Sequence, residues 1–468
     1  MSVASAATKR LPPGPRGLEI AGFFGRGGFG DTLDFLNAQA RRHGPIFAFR
    51  IFGHRVYVPT DPELVRQVLV VQQHRFARAA GSALLREIVG TSIVTAEEPL
   101  HRERRRMLQP AFHRHRVARY AEAMCAAARE TAGALRDFEL WDAGDAMTRL
   151  TLEVTGRTLF GSDVGAHARE MSASLSGAMA AISRLGPLVE VLPPEVAGLR
   201  RHLPLPVNAR LRKARADLRT IVLHLIALRR AREDEGPGDV LDLALAARDE
   251  RGARFDDEAL GDELATLLLA GHETTASALT WAWYLLARYP VAAARLRTET
   301  ANVCGDRDPE PADLPALRYA DAVVSETLRL YPPASAFGRR TLEPCELGGY
   351  AIPAGASVVI SPYAIGRNPR YFREPERFAP ERWFGEPPPE FAYVPFGGGA
   401  RRCIGDAFAR MEAVLALATL ARRYRFSADD LTPIGIASAT LRPARPVLLR
   451  AAPLARRSKA GSPAGVAN

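Results

Sequence analysis

The stretch Pro395–Gly405 reads PFGGGARRCIG and places one cysteine, Cys403, directly before a run with helical periodicity. Glycines let the backbone approach the sulfur closely, so that amide groups can donate to it. The N–H groups and the positive dipole end of a following helix stabilise a thiolate. The pattern therefore indicates a shielded sulfur that binds a metal. The alternative is a buried structural cysteine, the usual fate of a lone Cys.

The composition is that of a globular protein. Of the 468 residues, 47% are hydrophobic and 25% are charged, and the formal net charge is +11. Most basic residues are arginine, a bias typical of G+C-rich coding genomes, so the net charge says little about function. The four cysteines show no CxxC pair and no Cys-His spacing for zinc. No signal peptide or membrane span is expected, which indicates a cytoplasmic, reducing compartment.

Helical periodicity dominates the chain and predicts one mainly α domain with a small β portion over residues 1–454. Residues 1–17 form a proline-rich lead-in that cannot be helix, and we expect the small, polar tail 455–468 to be disordered. The longest periodic run, Asp256–Tyr289, would span about 50 Å as a helix. Further helices are predicted at Pro62–Val71, Leu100–Gln109, Arg116–Arg136, Asp142–Leu159, Asn208–Glu235 and Ile404–Tyr424. Short β segments are predicted at Phe47–Arg50, Val56–Val58, Glu346–Val359 and Thr440–Leu449.

The spacing of residues around Cys403 carries a family resemblance. The signature F-x-x-G-x-R-x-C-x-G is filled at each fixed position, by Phe396, Gly399, Arg401, Cys403 and Gly405. In this the chain resembles the cytochrome P-450 superfamily. The resemblance implies the cytochrome P-450 fold, with haem b between a long distal helix and a proximal helix that follows the cysteine loop. It also implies that Cys403 ligates the haem iron, with Phe396 and Gly399 beside the sulfur.

Two further elements match the family in the same order along the chain. Glu326 and Arg329 in SETLRLYPP lie at i and i+3, on one face of a helix. Alone, such a pair is usually a solvated surface pair. The family combines it with an arginine in a P-E-R-F-like element, which here reads PERW and contains Arg382 and Trp383. The resemblance implies that Glu326, Arg329 and Arg382 support folding and haem retention.

The longest predicted helix contains Ala270–Thr275, which reads AGHETT. Gly271 in mid-helix costs about 1 kcal/mol against Ala and so needs a reason. Thr274 can bond back to the carbonyl of Ala270 and bend the helix, so these residues predict a notch where O2 could sit. The family has A-G-x-E-T-T here. The resemblance implies that Thr274 orients the proton delivered to bound oxygen and that Glu273 relays it from solvent.

Several basic residues are candidates for the haem propionates. His101 and Arg105 in LHRERRRMLQPAF lie at i and i+4, on one helix face. The resemblance implies that both contact the propionates, together with Arg401. It also suggests Arg339 in FGRRT, with Arg340 as the competing assignment.

The substrate pocket is expected to be apolar, as small-molecule pockets usually are. No charge in the expected lining would clearly anchor a carboxylate, which favours a terpenoid or another neutral lipophile over a fatty acid. The chain also resembles bacterial terpene-oxidising members in its GRRT and PLPVNARLRKARADL stretches. The candidate lining residues are Leu267, Ala270, Ala336, Phe337, Ile436 and Ala437.

The resemblance implies a monooxygenase that inserts one atom of O2 into a lipophilic molecule, either terpenoid, steroid or fatty-acid-like. No flavin or iron–sulfur module is apparent, so the electrons should come from a ferredoxin or flavodoxin with its NAD(P)H reductase. Arg402, the Arg102–Arg106 run and His113–Arg116 would form a basic docking surface. No nucleic-acid motif is present. A haem-thiolate peroxygenase or isomerase and a non-catalytic haem-binding protein remain alternatives, although neither needs the Glu273–Thr274 pair.

Overall fold

Helices form most of the computed structural model, which describes residues 11–17, 19–20, 32–51, 53–79, 82–161, 204–231, 238–432, 435–436 and 440–454. The expected mainly α class with a small β portion is confirmed. The helices are α1 (Thr32–His43), α2 (Pro62–Arg66), α3 (Ser82–Val89), α4 (Leu100–Leu108), α5 (Arg114–Ala134), α6 (Ala143–Phe160), α7 (Pro206–Arg230), α8 (Val240–Ala246), α9 (Asp257–Arg288), α10 (Pro290–Cys304), α11 (Arg318–Leu330), α12 (Pro362–Gly366) and α13 (Asp406–Arg423).

Helix α9 crosses the core. It begins after Asp256, whose side chain accepts a hydrogen bond from the amide of Ala259 at 2.7 Å. Such a cap satisfies one of the free N–H groups at the helix start. Most residues of α9 are buried, and the helix packs against α6, α7, α11 and α13. The predicted long helix is therefore confirmed. Within the described residues, no helix has the length and apolarity needed to cross a membrane.

The largest sheet contains five strands in the order β1-β2-β8-β5-β3. The parallel pair is β2 with β8, and the other pairs are antiparallel. One face packs on a core that includes Val394, ahead of the cysteine loop, and the other face packs on α1. The strands are β1 (Ile46–Ile51), β2 (His54–Pro59), β3 (Phe76–Arg78), β4 (Leu140–Asp142), β5 (Phe337–Thr341), β6 (Cys345–Leu347), β7 (Tyr350–Ile352), β8 (Ser357–Ile360), β9 (Tyr424–Ser427), β10 (Gly435–Ile436), β11 (Arg442–Pro443) and β12 (Leu448–Pro453).

Element boundaries differ from the sequence predictions in two informative places. The predicted helix Pro62–Val71 is α2 followed by a π-helical turn over Gln67–Val71. The helix after the cysteine begins at Asp406, because residues 404–405 form a turn. The tail 455–468 and residues 1–10 lie outside the described residues, so the single-domain boundaries, the lead-in and the tail stay predictions.

A buried carboxyl fastens the segment before α4 to α9. Glu263 on α9 has 0% exposure and accepts the amide of Ile93 at 3.0 and 2.9 Å. Arg104 Nε lies 3.9 Å from the carboxyl oxygen. Burial raises the pKa of Glu263 to about 7, against lowering by the Ile93 amide and by Arg104.

The contribution of Glu263 to the free energy of unfolding should therefore fall as the pH rises. Because the pKa of Glu263 is raised on folding, the folded chain holds an extra proton between pH 4.5 and about 7. That contribution is present in full below pH 4.5 and is lost as pH rises through about 7. Glu263→Gln keeps an acceptor for the Ile93 amide but cannot titrate. We expect the wild type to lose on the order of 3 kcal/mol of unfolding free energy relative to Glu263→Gln across this window.

Urea unfolding of the holoprotein at a series of pH values measures this difference. The exposed Glu103→Gln on α4 is the matched control and should track the wild type at every pH. A constant offset between wild type and Glu263→Gln would contradict the titration of Glu263.

Candidate functional site

The cysteine loop is built on a close backbone contact. Gly397 and Gly399 have φ of +67° and +66°, a region that favours glycine. A Cβ on Gly399 would lie 1.8 Å from the carbonyl oxygen of Leu69. The amide of Ala400 donates to Gln73 Oε1 at 3.0 Å. The loop thus rests directly on the turn after α2, and sequence reasoning missed this support.

Cys403 differs from the other three cysteines in its exposure. Its side chain keeps an exposed surface, whereas Cys125, Cys304 and Cys345 are buried. Burial by the surrounding protein is nevertheless the main effect on the pKa of the Cys403 thiol, which it raises. The Gly405 amide and the nearby guanidinium groups lower that pKa. A sulfur in this position ionises fully when a metal cation balances its charge, which fits the predicted iron ligand.

The middle of α9 also presents an open face. Ala270 is exposed and Thr274 is half-buried, although most of their neighbours on the helix are buried. Thr274 Oγ1 donates to the carbonyl of Ala270 at 2.7 Å, which is the back-bond that the sequence predicted. A Cβ on Gly271 would lie 3.4 Å from Thr155, so α6 packs close to this glycine. The surfaces at Ala270 and at Cys403 are therefore both open to a bound group, as the predicted haem site requires.

Three predicted propionate contacts lie close to one another between α4 and the cysteine loop. Arg105 Nη1 donates to the carbonyl of Arg402 at 2.6 Å. Arg401 donates to Glu97 Oε2 at 3.1 Å. His101 is buried, and its Nδ1 lies 2.8 Å from Glu98 Oε1. Burial lowers the pKa of His101, and Arg401 lowers it further. Arg401 and His101 already contact carboxylates of the chain, and Arg105 contacts a backbone carbonyl, so this donor set suits carboxylates such as haem propionates.

Strand register separates the two competing arginines. Arg339 pairs with Val358, which belongs to the apolar cluster that contains Val394. Arg340 pairs with Ser357, whose side chain lies on the opposite face because strand residues alternate. Arg339 therefore faces the cysteine-loop side of the sheet. Arg78 of β3 pairs with Arg339 and shares its face, and sequence reasoning missed it.

The three residues predicted to support folding and haem retention meet at the carboxylate of Glu326. Glu326 accepts hydrogen bonds from Arg329 at 2.8 and 2.9 Å and from Arg382 at 2.9 Å. The amide of Ala379 donates at 2.9 Å, and Trp383 Nε1 donates at 3.0 Å. The exposed fraction of both Glu326 and Arg329 is 0%. Trp383, which the sequence marked only as a mild change from Phe, thus adds a donor that Phe lacks.

The predicted substrate-pocket residues are partly described. Leu267 is buried on α9, four residues before Gly271. Ala336 is exposed, and Phe337 is half-buried with its ring 5.3 Å from the Arg339 guanidinium. The side chain of Ile436 and the whole of Ala437 lie outside the described residues.

Glu273 has a partner that sequence reasoning missed. Its carboxylate forms an ion pair with Arg442 of β11, 169 residues away in the sequence. Only 5% of the Glu273 side chain is exposed, against 43% of Arg442. The predicted acid Glu273 is therefore held by Arg442, which is distant from it in the sequence. No local sequence pattern indicates this contact.

A family model and several known proteins are similar to the chain over most of its length. The cytochrome P-450 family model matches residues 12–449. The chain is 42% identical to cyclooctatin synthase of Streptomyces melanosporofaciens, over 84% of this chain and 85% of that protein. It is 36% identical to cyclooctat-9-en-7-ol 5-monooxygenase of the same organism, over 84% of each chain. It is also 36% identical to pentalenene oxygenase of Streptomyces avermitilis, over 87% of this chain and 90% of that protein.

The contact under the cysteine loop predicts the effect of one methyl group. Gly399→Ala places a Cβ against the Leu69 carbonyl and forces an alanine into the left-handed region, which alone costs about 1–2 kcal/mol. We expect a large loss of haem-loaded protein, measured as the ratio of Soret to protein absorbance, and a lower urea midpoint. Gly133→Ala in α5, where a Cβ meets nothing within 4 Å, is the control and should be neutral or stabilising. Equal haem content in both variants would contradict the close contact.

Proposed function

The chain belongs to the cytochrome P-450 family of haem-thiolate monooxygenases, and we propose that Cys403 holds the haem iron while the enzyme oxidises a terpenoid. The observation that carries the proposal is the pair of open faces at Cys403 and at Ala270–Thr274, joined to the cation cluster beside the loop. His101, Arg105, Arg401 and Arg339 would hold the propionates, and Phe396 and Gly399 would border the sulfur.

The protein side of the mechanism follows from hydrogen bonding. Bound haem supplies the redox chemistry that activates O2. Cys403 would bind the iron as a thiolate; burial raises the pKa of its thiol, and the Gly405 amide and nearby guanidinium groups oppose that shift. The Thr274 hydroxyl donates its proton to the Ala270 carbonyl. The lone pairs of Oγ1 therefore remain free to accept a hydrogen bond from a water or another proton donor beside this face of α9. Glu273 supplies protons from the solvent side, and Thr274 orients them.

A terpenoid substrate is supported by the apolar lining and by the relatives. Leu267, Ala336 and Phe337 carry no charge that would anchor a carboxylate. Three relatives that oxidise terpenes match this chain over most of its length. Steroids and fatty acids are the competing substrate classes.

The electron donor is proposed to be a ferredoxin or flavodoxin in the cytoplasm, served by an NAD(P)H reductase. The exposed fractions of Arg102, Arg106 and Arg402 are 82%, 46% and 59%. Each lies in an ion pair with a carboxylate, so the surface is less positive than the arginine count predicts. Electrostatic steering of the electron donor to this surface should therefore be modest and sensitive to salt.

Two measurements test the function. The reduced protein with carbon monoxide should show the Soret shift of a thiolate ligand, and Cys403→Ser should lose it. With surrogate ferredoxin and reductase, a terpene that induces a spin shift should stimulate NAD(P)H consumption and yield a product with one added oxygen. Full turnover with peroxide alone, and none with electrons, would favour the peroxygenase alternative. A spin shift with steroids or fatty acids only would overturn the terpenoid assignment.

Charge reversal should slow electron delivery. In Arg106→Glu/Arg402→Glu, we expect ferredoxin-dependent reduction of the haem to slow by about tenfold at low salt and to approach the wild-type rate at high salt. Stopped-flow absorbance under carbon monoxide measures this rate. Arg219→Glu on α7, a helix that packs against α9, is the matched control. Unchanged reduction rates in the double variant would refute docking at this surface.

A further inference from the structure

One hydroxyl group in the core of the molecule has no hydrogen-bond partner. Thr266 lies on α9 with 2% of its surface exposed, and its Oγ1 forms no hydrogen bond. Among the residues that the structure describes, no other serine or threonine hydroxyl is buried in this state. A buried polar group without a partner loses its hydration without compensation. The presence of such a group in a folded protein therefore needs an explanation.

Other threonines of the same helix satisfy their hydroxyl groups within the helix. Thr274 and Thr280 donate to the carbonyls four residues before them, at 2.7 Å in both cases. The corresponding acceptor for Thr266 is the carbonyl of Asp262, and this bond does not form. The hydroxyl hydrogen of Thr266 therefore remains available to another acceptor.

The two carboxyl groups that precede Thr266 on α9 already have partners. Glu263 accepts the amide of Ile93 at 3.0 and 2.9 Å, and Asp262 accepts the amide of Thr91 at 2.7 Å. The segment before α4 therefore covers α9 one turn ahead of Thr266. Neither this segment nor the two carboxyl groups supply an acceptor for the Thr266 hydroxyl.

Helix geometry places Thr266 beside the open face of α9. Residues four apart on a helix point in directions about 40° apart, so Thr266 is the neighbour of Ala270, which is exposed. With a rise of 1.5 Å per residue, Thr266 lies about 6 Å from Ala270 along the helix axis and about 12 Å from Thr274. Thr266 is therefore on the side of α9 where the substrate is proposed to bind, at the end remote from Thr274.

We infer that Thr266 determines substrate specificity by donating a hydrogen bond to an oxygen atom that the substrate already carries. The substrate is then an oxygenated terpenoid, either an alcohol or a ketone, and not a terpene hydrocarbon. This inference rests on the proposed terpenoid function. The oxygen atom bound by Thr266 and the carbon to be oxidised beside Ala270 and Thr274 lie at different ends of the substrate molecule.

This anchor also sets the order of reactions. An oxygen atom must enter the terpenoid before this enzyme acts, either by an earlier hydroxylation or by a cyclisation that ends with the addition of water. A site built to bond a substrate hydroxyl rejects the analogue that lacks it, because the buried group of the protein then stays unpaired. The parent hydrocarbon should therefore bind more weakly than its alcohol, although the hydrocarbon is the more apolar of the two.

Titration of the substrate-induced spin shift measures the anchor without turnover. The probes are two pairs, cedrol with cedrene and abietadienol with abietadiene, in which only the first member carries a hydroxyl group. The wild type should bind the alcohol of at least one pair about tenfold more tightly than the hydrocarbon. Thr266→Val keeps the shape of the side chain and should abolish this preference. Thr266→Ser, which keeps the hydroxyl, and the control Thr280→Val should retain it.

The outcomes separate this inference from the proposed function. A preference for the alcohol that survives in Thr266→Val would overturn the anchor, as would a wild type that binds each hydrocarbon as tightly as its alcohol. Tight binding of the hydrocarbons would leave the terpenoid assignment intact. Absence of a spin shift with all four compounds would remove the terpenoid assignment, and the inference with it.

Urea unfolding of the substrate-free holoprotein gives a test that does not depend on the choice of substrate. Thr266→Val replaces an unpaired hydroxyl with a methyl group of similar shape, so the urea midpoint should rise. Thr280→Val removes a hydroxyl that is already bonded to the Ala276 carbonyl, so its midpoint should rise less or fall. A midpoint of Thr266→Val below that of the wild type would mean that the hydroxyl has a partner within the chain. That result would reject the anchor and leave the haem-thiolate assignment untouched.

Discussion

The cofactor-binding part of the molecule depends on the hydrogen bonds that the buried carboxylate of Glu326 accepts. This carboxylate is fully buried and accepts hydrogen bonds from Arg329, Arg382, Trp383 and the Ala379 amide. Arg329 also donates to backbone carbonyls at positions 366, 375 and 377. Breaking such a buried pair costs about 3–5 kcal/mol, because the remaining charge has no water around it. Helix α11 and the irregular segment from 366 to 383 are thus fixed as one unit.

This unit continues to both ends of the cysteine segment. The ring of Trp383 packs against Tyr393, with ring centres 4.6 Å apart, three residues before Phe396. At the other end, Arg410 of α13 donates to Asp321 of α11 at 2.6 and 2.8 Å. The loop between them rests on Leu69 and Gln73, from the part of the chain before α4. Three separate parts of the sequence therefore position the loop that contains Cys403.

Short motifs made most of the fold and much of the site predictable. Periodicity located α9 within a residue at each end, and the resemblance selected Glu326, Arg329 and Arg382 before any contact was known. Contacts between residues far apart in the sequence could not be predicted from short motifs. Gln73 meets Ala400 across 327 residues, and Glu273 meets Arg442 across 169. Strand register, which the sequence left open, separated Arg339 from Arg340.

The two faces of α9 explain why an acid and an alcohol stand next to each other in the sequence. Adjacent helical residues point about 100° apart, so neighbouring side chains can contact different surroundings without a break in the helix. Glu273 faces an outer pocket, and Thr274 belongs to the stripe that contains Ala270. The acid therefore stands outside the open surface that Ala270 and Thr274 share, although it is adjacent to the alcohol in the sequence.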